Sequence, residues 1–490
     1  MLSGAGVSAL AGCSTSDNSP STGNAPTLPP RPGPSEPADV TAALRAAPGR
    51  IQPSADTSAT TWLYDGEFPG PELRVREGDV FEVELTNELS EGMTIHWHGI
   101  PVSNGMDGVP NVTQQPVTSG NSFSYKFRAE PAGTYFYHSH VGLQLDRGLL
   151  APLVIEEPDP HVAYDREYTV VIDDYLKRSP QPLSESGSEG GPSGSQVPQS
   201  DGGPGGMGGG GPGGMGGGMG GGPGGMGGVM AARRPPYAGL LLNGRLPTDP
   251  RTFTVREGER VRFRFINASS ATLFRVQAAG HPLRITHADG RPVTPVTVDS
   301  FAFGSGERYD AIVAADNPGA WEIRAAAVDG DEPPAKAILT YGGSEPPQSP
   351  TPPSADGNQL SYSDLQAISP LDGVDGSPDR TFDLTLSAGQ RSNEWAIDGR
   401  AYPDADPFRV QKGEHVRIRM VNHSPVIHPM HLHGHFFQVQ DAVKDTVVVP
   451  GHMGEVTFDF VADNPGSWLF HCHNLYHLEA GMARVIRYVE

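Results

Sequence analysis

Three stretches of this chain are variations on one pattern. "PELRVREGDVFEVELTNELSEGMTIHWHG" begins at Pro71, "PRTFTVREGERVRFRFINASSATLFRVQAAG" at Pro250 and "PFRVQKGEHVRIRMVNHSPVIHPMHLHG" at Pro407. Each reads as an alternating apolar strand, an acidic-glycine turn, a second alternating strand ending in Asn, and a loop into a third strand. The closing halves recur too: "YKFRAEPAGTYFYHSH" (125–140), "YDAIVAADNPGAWEIRAA" (309–326) and "VTFDFVADNPGSWLFHCH" (456–473). A chain that repeats a supersecondary unit at this spacing folds as an array of like domains.

The alternation, as in Val-Arg-Phe-Arg-Phe at 261–265, marks strands with one buried face. With 63 glycines and 48 prolines in 490 residues, short strands and turns are favoured over long helices. The expected fold is all-β, three consecutive two-sheet sandwiches. The expected boundaries are a leader and flexible tether over 1–45 and sandwiches over 46–158, 165–342 and 360–490. A linker over 343–359 separates the last two, and an insert over about 180–235 interrupts the second.

The copies differ in their histidines. Counting 21 and 23 residues from the valine before each turn reaches His96 and His98, then Val276 and Ala278, then His431 and His433. Counting three and five residues from the closing aromatic reaches His138 and His140, then Arg324 and Ala326, then His471 and His473. Between the latter pairs lie Ser139, Ala325 and Cys472. Residues i and i+2 of a strand share a face, so each His-x-His presents two imidazoles together. The second unit keeps the scaffold without these side chains. His161, His281, His287, His415, His423, His435 and His452 have no partner at a motif position and are expected to be surface or hydrogen-bonded groups.

"HCHNLYHLEAGM" (471–482) adds Cys472, His477 and Met482 within one loop, with His428 joining from "HPMHLHG". Two imidazoles, a thiolate and a distant thioether form the blue-copper donor set.

"HWHG", "HSH", "HPMHLHGH" and "HCHNLYHLEAGM" resemble the four copper motifs of the three-domain multicopper oxidases, which include laccases and bacterial copper-efflux oxidases. The resemblance covers about 46–490 and implies cupredoxin-like Greek-key sandwiches and four coppers per chain. It implies a type 1 copper on His428, Cys472 and His477 with Met482 axial, and a type 2 copper on His96 and His431. A type 3 pair on His98, His138, His140, His433, His471 and His473 completes the set. The implied reaction is one-electron oxidation of a donor coupled to four-electron reduction of O2 to water, with Cys472 relaying electrons and Asp107 assisting proton delivery. The donor is either Cu(I) or a phenol or aromatic amine. A non-catalytic copper-sequestering protein and a copper nitrite reductase are the alternatives, although the latter usually has two domains and lacks the full histidine set.

The remaining signals concern location and partners. A net charge of −22 argues against nucleic acid as a partner. Two cysteines exclude a disulfide framework. Cys13 closes "VSALAGC", which resembles a bacterial lipobox without a basic segment before it. Export to the cell envelope or beyond is expected, with a lipid anchor at Cys13. No apolar run approaches the length of a transmembrane helix. The glycine-rich insert holds Met207, Met215, Met219, Met226 and Met230, five of the chain's twelve methionines. Thioethers are soft donors that favour Cu(I).

Overall fold

The computed structural model describes residues 27–182, 234–342, 350–354, 357–389 and 394–490. Cys13 and the five insert methionines lie outside them. The described chain forms six sheets in three face-to-face pairs. In each unit the strand before the acidic-glycine turn enters one sheet and the strand after it enters the other. Leu73, Arg251 and Phe408 run parallel to the closing strands at Leu153, Ala337 and Ile486. Phe81, Val261 and Val416 run parallel to the opening strands at Val40, Arg166 and Arg380. This crossing between sheets is enforced at the turn, where Gly78, Gly258 and Gly413 have φ of 93°, 86° and 90°. Those values disfavour any residue with a Cβ.

The third unit shows the arrangement that matters for function. Its six-stranded sheet has the lateral order Trp395–Ile397, Arg380–Ala388, His415–Asn422, Gly454–Val461, Phe437–Val439, Ala442–Lys444. Its five-stranded sheet has the order Phe408–Gln411, Ala483–Val489, Ser467–Cys472, His428–Leu432, Thr446–Val449. The second unit repeats both orders strand for strand, with Phe274–Ala278 where the third has His428–Leu432 and Ala320–Ala327 where it has Ser467–Cys472. Inward-facing Val416, Ile418, Met420, Phe458, Phe460, Trp468 and Phe470 are all essentially inaccessible and form the core between the sheets. Each such side chain contributes about 1.5–3 kcal/mol by leaving water.

The sequence reading needs two corrections. The expected tether to residue 45 is too long, because the strand Val40–Ser54 begins at 40 and pairs with Val80–Asn87. The alternation that buries Leu44 and Ala46 starts inside the stretch that composition marks as a tether. Ahead of that strand, Leu28 N donates to Tyr488 O (3.0 Å) and Arg31 N to Pro465 O (3.3 Å), so the proline-rich arm lies along the third unit before reaching the first. The repeat count in the second unit is also one residue out. Pairing of Val276 with Ala325 matches that of Met430 with Cys472, and Ala279 N bonds Glu322 O as His433 N bonds Leu469 O. The counterparts of His431 and His433 are therefore Gln277 and Ala279, not Val276 and Ala278. A loop longer by one residue before the strand, Asn267 to Phe274 against Asn422 to His428, causes the slip.

Candidate metal centre

His96 and His98 lie on a fully buried three-residue strand that pairs with Gly133–His138. His431 and His471 are directly opposed on neighbouring strands of the third unit. His140, His433 and His473 sit just past strand ends. The first and third units bring these two sets face to face. The His96 ring stacks on His433 at 3.9 Å between centroids, and His98 on His431 at 3.8 Å. Ligand atoms of three groups lie within 4.8 Å of one another: His96, His98 and His431; His98, His138 and His473; His140, His433 and His471.

The free valences of these rings fit a metal. His96 Nδ1, His138 Nδ1, His431 Nδ1 and His471 Nδ1 bond the carbonyls of Asp107, Ser139, Asp445 and Cys472 at 2.8–2.9 Å. With Nδ1–H donating to a carbonyl, the Nε2 lone pair is left for a ligand. Nε2 of His96, His138, His140 and His431, Nδ1 of His98 and both nitrogens of His473 are buried without a hydrogen-bond partner. Each such atom costs about 1–3 kcal/mol when left unmet. Several of them directed into one space indicate a cation. Burial, then the neighbouring imidazoles, holds His98, His138, His140, His433 and His473 well below the ordinary histidine value, and burial holds His471 there too. They are neutral, as metal ligation requires.

A second centre lies in the third unit. Cys472 Sγ is 3.6 Å from His428 Nδ1 and 3.5 Å from His477 Nδ1, and the two nitrogens are 3.1 Å apart. Asn474 caps the short helix Leu475–Glu479 by accepting from Tyr476 N and His477 N, which turns His477 back toward the sulfur. Met482 is fully buried, and its carbonyl accepts from Cys472 N at 3.0 Å. Burial pushes the Cys472 thiol far up, so only a bound metal would ionise it. Asp107, fully buried, has its carboxylate 3.0 Å from His433 Nδ1 and 3.2 Å from His96 Nδ1.

Of the unmatched histidines, His281 and His435 are core groups. Each bonds a backbone carbonyl through Nδ1 and a tyrosine hydroxyl through Nε2, Tyr341 at 2.8 Å and Tyr488 at 2.6 Å. Motif reading missed Ser424, whose hydroxyl is 2.9 Å from His428 Nε2, and Trp395, whose ring lies 4.2 Å from that of His477. It also missed Asp445, Thr446 and Arg308 behind the larger cluster. None of these carries a metal-ligand spacing that sequence could have flagged.

Three sandwiches, a histidine cluster between the first and third, and a Cys–His centre one residue away define the class: the chain belongs to the multicopper oxidase family. Family models described as multicopper oxidase match residues 45–160, 222–344 and 375–490. Among individual proteins it is similar to multicopper oxidase MmcO of Mycobacterium tuberculosis, with 34% identity over 92% of this chain and 87% of that one. Copper resistance protein A of Escherichia coli is 28% identical over 87% of this chain and 89% of its own length. The crystal structure of a multi-copper oxidase from Pseudomonas thermotolerans superposes with a TM-score of 0.67 at 26% identity, covering 92% of this chain and 100% of that one. The protein is thus a copper-dependent oxidoreductase, and the family's complement is four coppers of types 1, 2 and 3. The non-catalytic and nitrite reductase alternatives are not favoured.

Proposed function

We propose that His428, Cys472 and His477, with Met482 as a further donor, would hold a type 1 copper. His96 and His431 hold a type 2 copper, and His98, His138, His140, His433, His471 and His473 hold a type 3 pair. Copper bound at these positions supplies one-electron acceptance from a donor at the first centre and reduction of O2 to water at the other three. The convergence of unpartnered imidazole nitrogens from two domains carries this reading.

The chain's own contribution is arrangement. Cys472 shares its backbone with His471 and His473, so a short covalent run joins the sulfur to the cluster. The Asp107 carboxylate, against His433 and His96, is the group we assign to proton delivery at the cluster.

The preferred donor is Cu(I). A cavity of about 30 Å³ beside His477 is lined by Arg234, Asp329, Val426, Ile427 and Asn474 among others. An enclosed cavity of roughly 150 Å³ takes up benzene, and the much smaller space here favours a single ion over an aromatic ring. Arg234 also follows the glycine–methionine insert closely in sequence, and that segment's thioethers are soft donors that favour Cu(I). Export with a lipid anchor at Cys13 completes the reading; among the described residues no helix is long and apolar enough to cross a membrane.

Two measurements test it. Purified protein should contain about four coppers per chain and show the intense blue absorption of a thiolate-bound copper. Steady-state oxidation of Cu(I) should exceed that of a phenolic dye, and deleting 201–230 should lower the former while sparing the latter. Equal loss of both activities would sink the role given to the insert.

A further inference from the structure

The second domain supplies none of the clustered ligands, yet its loop 304–308 ends against them. Gly306 has φ +91°, and a Cβ there would lie 2.9 Å from His98 Cε1 and 3.1 Å from a ring carbon of His473. The loop thus packs directly on two ring edges. Two residues on, Arg308 is completely inaccessible and touches all three domains. Its Nε donates to Thr134 O of the first (3.1 Å), one Nη to Gly306 O of its own (3.0 Å), and the two Nη atoms to the two carboxylate oxygens of Asp445 in the third (2.7 Å each).

Asp445 and Thr446 in turn face two of the cluster rings. The Asp445 carbonyl accepts from His431 Nδ1 at 2.9 Å, and a carboxylate oxygen is 3.3 Å from His98 Nε2. The Thr446 hydroxyl donates to that carboxylate at 2.8 Å and lies 3.1 Å from His431 Nδ1 and 3.2 Å from His98 Nε2. These contacts leave His431 Nε2 and His98 Nδ1 as the nitrogens without partners.

We propose that Arg308, carried by the metal-free domain, is a positioning residue for the type 2 side of the copper cluster, acting through Asp445 and Thr446 on His431 and His98. This rests on the ligand assignment above. A guanidinium grips a carboxylate through two parallel bonds and fixes its plane; an ammonium cannot. Groups that orient metal-ligating imidazoles from behind affect affinity about 10–100-fold when removed. The second domain is therefore part of the cluster's construction and not merely a spacer between the outer two.

The test uses the full chain as Arg308→Lys, Arg308→Met and Arg262→Met. Arg262 is an equally buried arginine of the same domain, 2.6 Å from Asp310 and 2.6 Å from Glu157, with no contact to a proposed ligand. Copper per chain, blue absorption, the type 2 paramagnetic signal and thermal unfolding of the copper-free protein are compared. Both Arg308 variants are expected to keep the blue absorption while losing about one copper per chain and retaining type 2 copper about 10–100-fold less tightly against a chelator. Arg262→Met is expected to unfold at lower temperature with its copper complement intact. The lysine variant keeps the buried charge, so a misfolded methionine variant does not void the experiment. A wild-type copper count and type 2 signal in Arg308→Lys would overturn the proposal, as would proportional loss from both centres. Wild-type protein without blue absorption would instead overturn the ligand assignment.

Discussion

The second and third domains are the same sandwich with and without a metal centre, and the difference between them is small. Both have a six- and a five-stranded sheet in identical order. Both carry a His–Trp–Tyr group, His281–Trp321–Tyr341 and His435–Trp468–Tyr488, with the Trp indole donating to an asparagine carbonyl in each. At the position of His428 the second domain has Phe274, which pairs with Phe303 as His428 pairs with Val449. At the position of Cys472 it has Ala325, and among its described residues there is no counterpart of the helix that carries His477. The scaffold does not need copper. A few side chains and one short helix convert a closed apolar core into a donor set.

The largest effect that sharpens this contrast is expected from Cys472→Ser. It should abolish blue absorption and donor oxidation while leaving about three of the four coppers, measured by metal analysis and spectroscopy. Phe274→Ala should do the reverse in the second domain. It should cost about 3–5 kcal/mol of stability in a denaturant titration and leave the copper count unchanged. The paired variants His281→Phe and His435→Phe should be nearly equivalent, each losing about 1–3 kcal/mol because a buried tyrosine hydroxyl loses its acceptor. Neither should lose copper; loss in the second alone would make His435 a participant in the cluster.

The smallest expected effect concerns the helix that carries His477. Tyr476, beside His477, donates to Asp146 of the first domain, which Tyr237 of the second also contacts at 3.4 Å. Burial, and after it the Asp174 carboxylate, pushes Asp146 up to about 8. The unfolded chain releases that proton near pH 4, so folding takes up a proton between about pH 4 and 8 and stability falls as pH rises across that window. Asp146→Asn should remove this decline. Its melting temperature should match that of wild type near pH 4 and exceed it by a few degrees at pH 8.

The sequence made the strands legible because their alternation and turn glycines are local properties. The ligands were legible because imidazoles at i and i+2 need only a strand to share a face. The register of the second domain was not, since one residue added to a loop shifts every later count without changing the sheet pairing. Arg308, Asp445 and Thr446 were hidden for a different reason. Arg308 and Asp445 are far apart in sequence, and only the docking of three domains brings the guanidinium to the carboxylate. The arm before Val40 looked unstructured because its contacts are to the opposite end of the chain.

That arm has a mechanical consequence. It is stapled to the third sandwich at Leu28 and enters the first at Val40, crossing the seam between the two units that share the histidine cluster. The 14 residues between Cys13 and Leu28 can span no more than about 54 Å. A lipid on Cys13 would moor the enzyme on a leash of about that length, and any pull on the mooring would be borne first by the staple, ahead of either sheet.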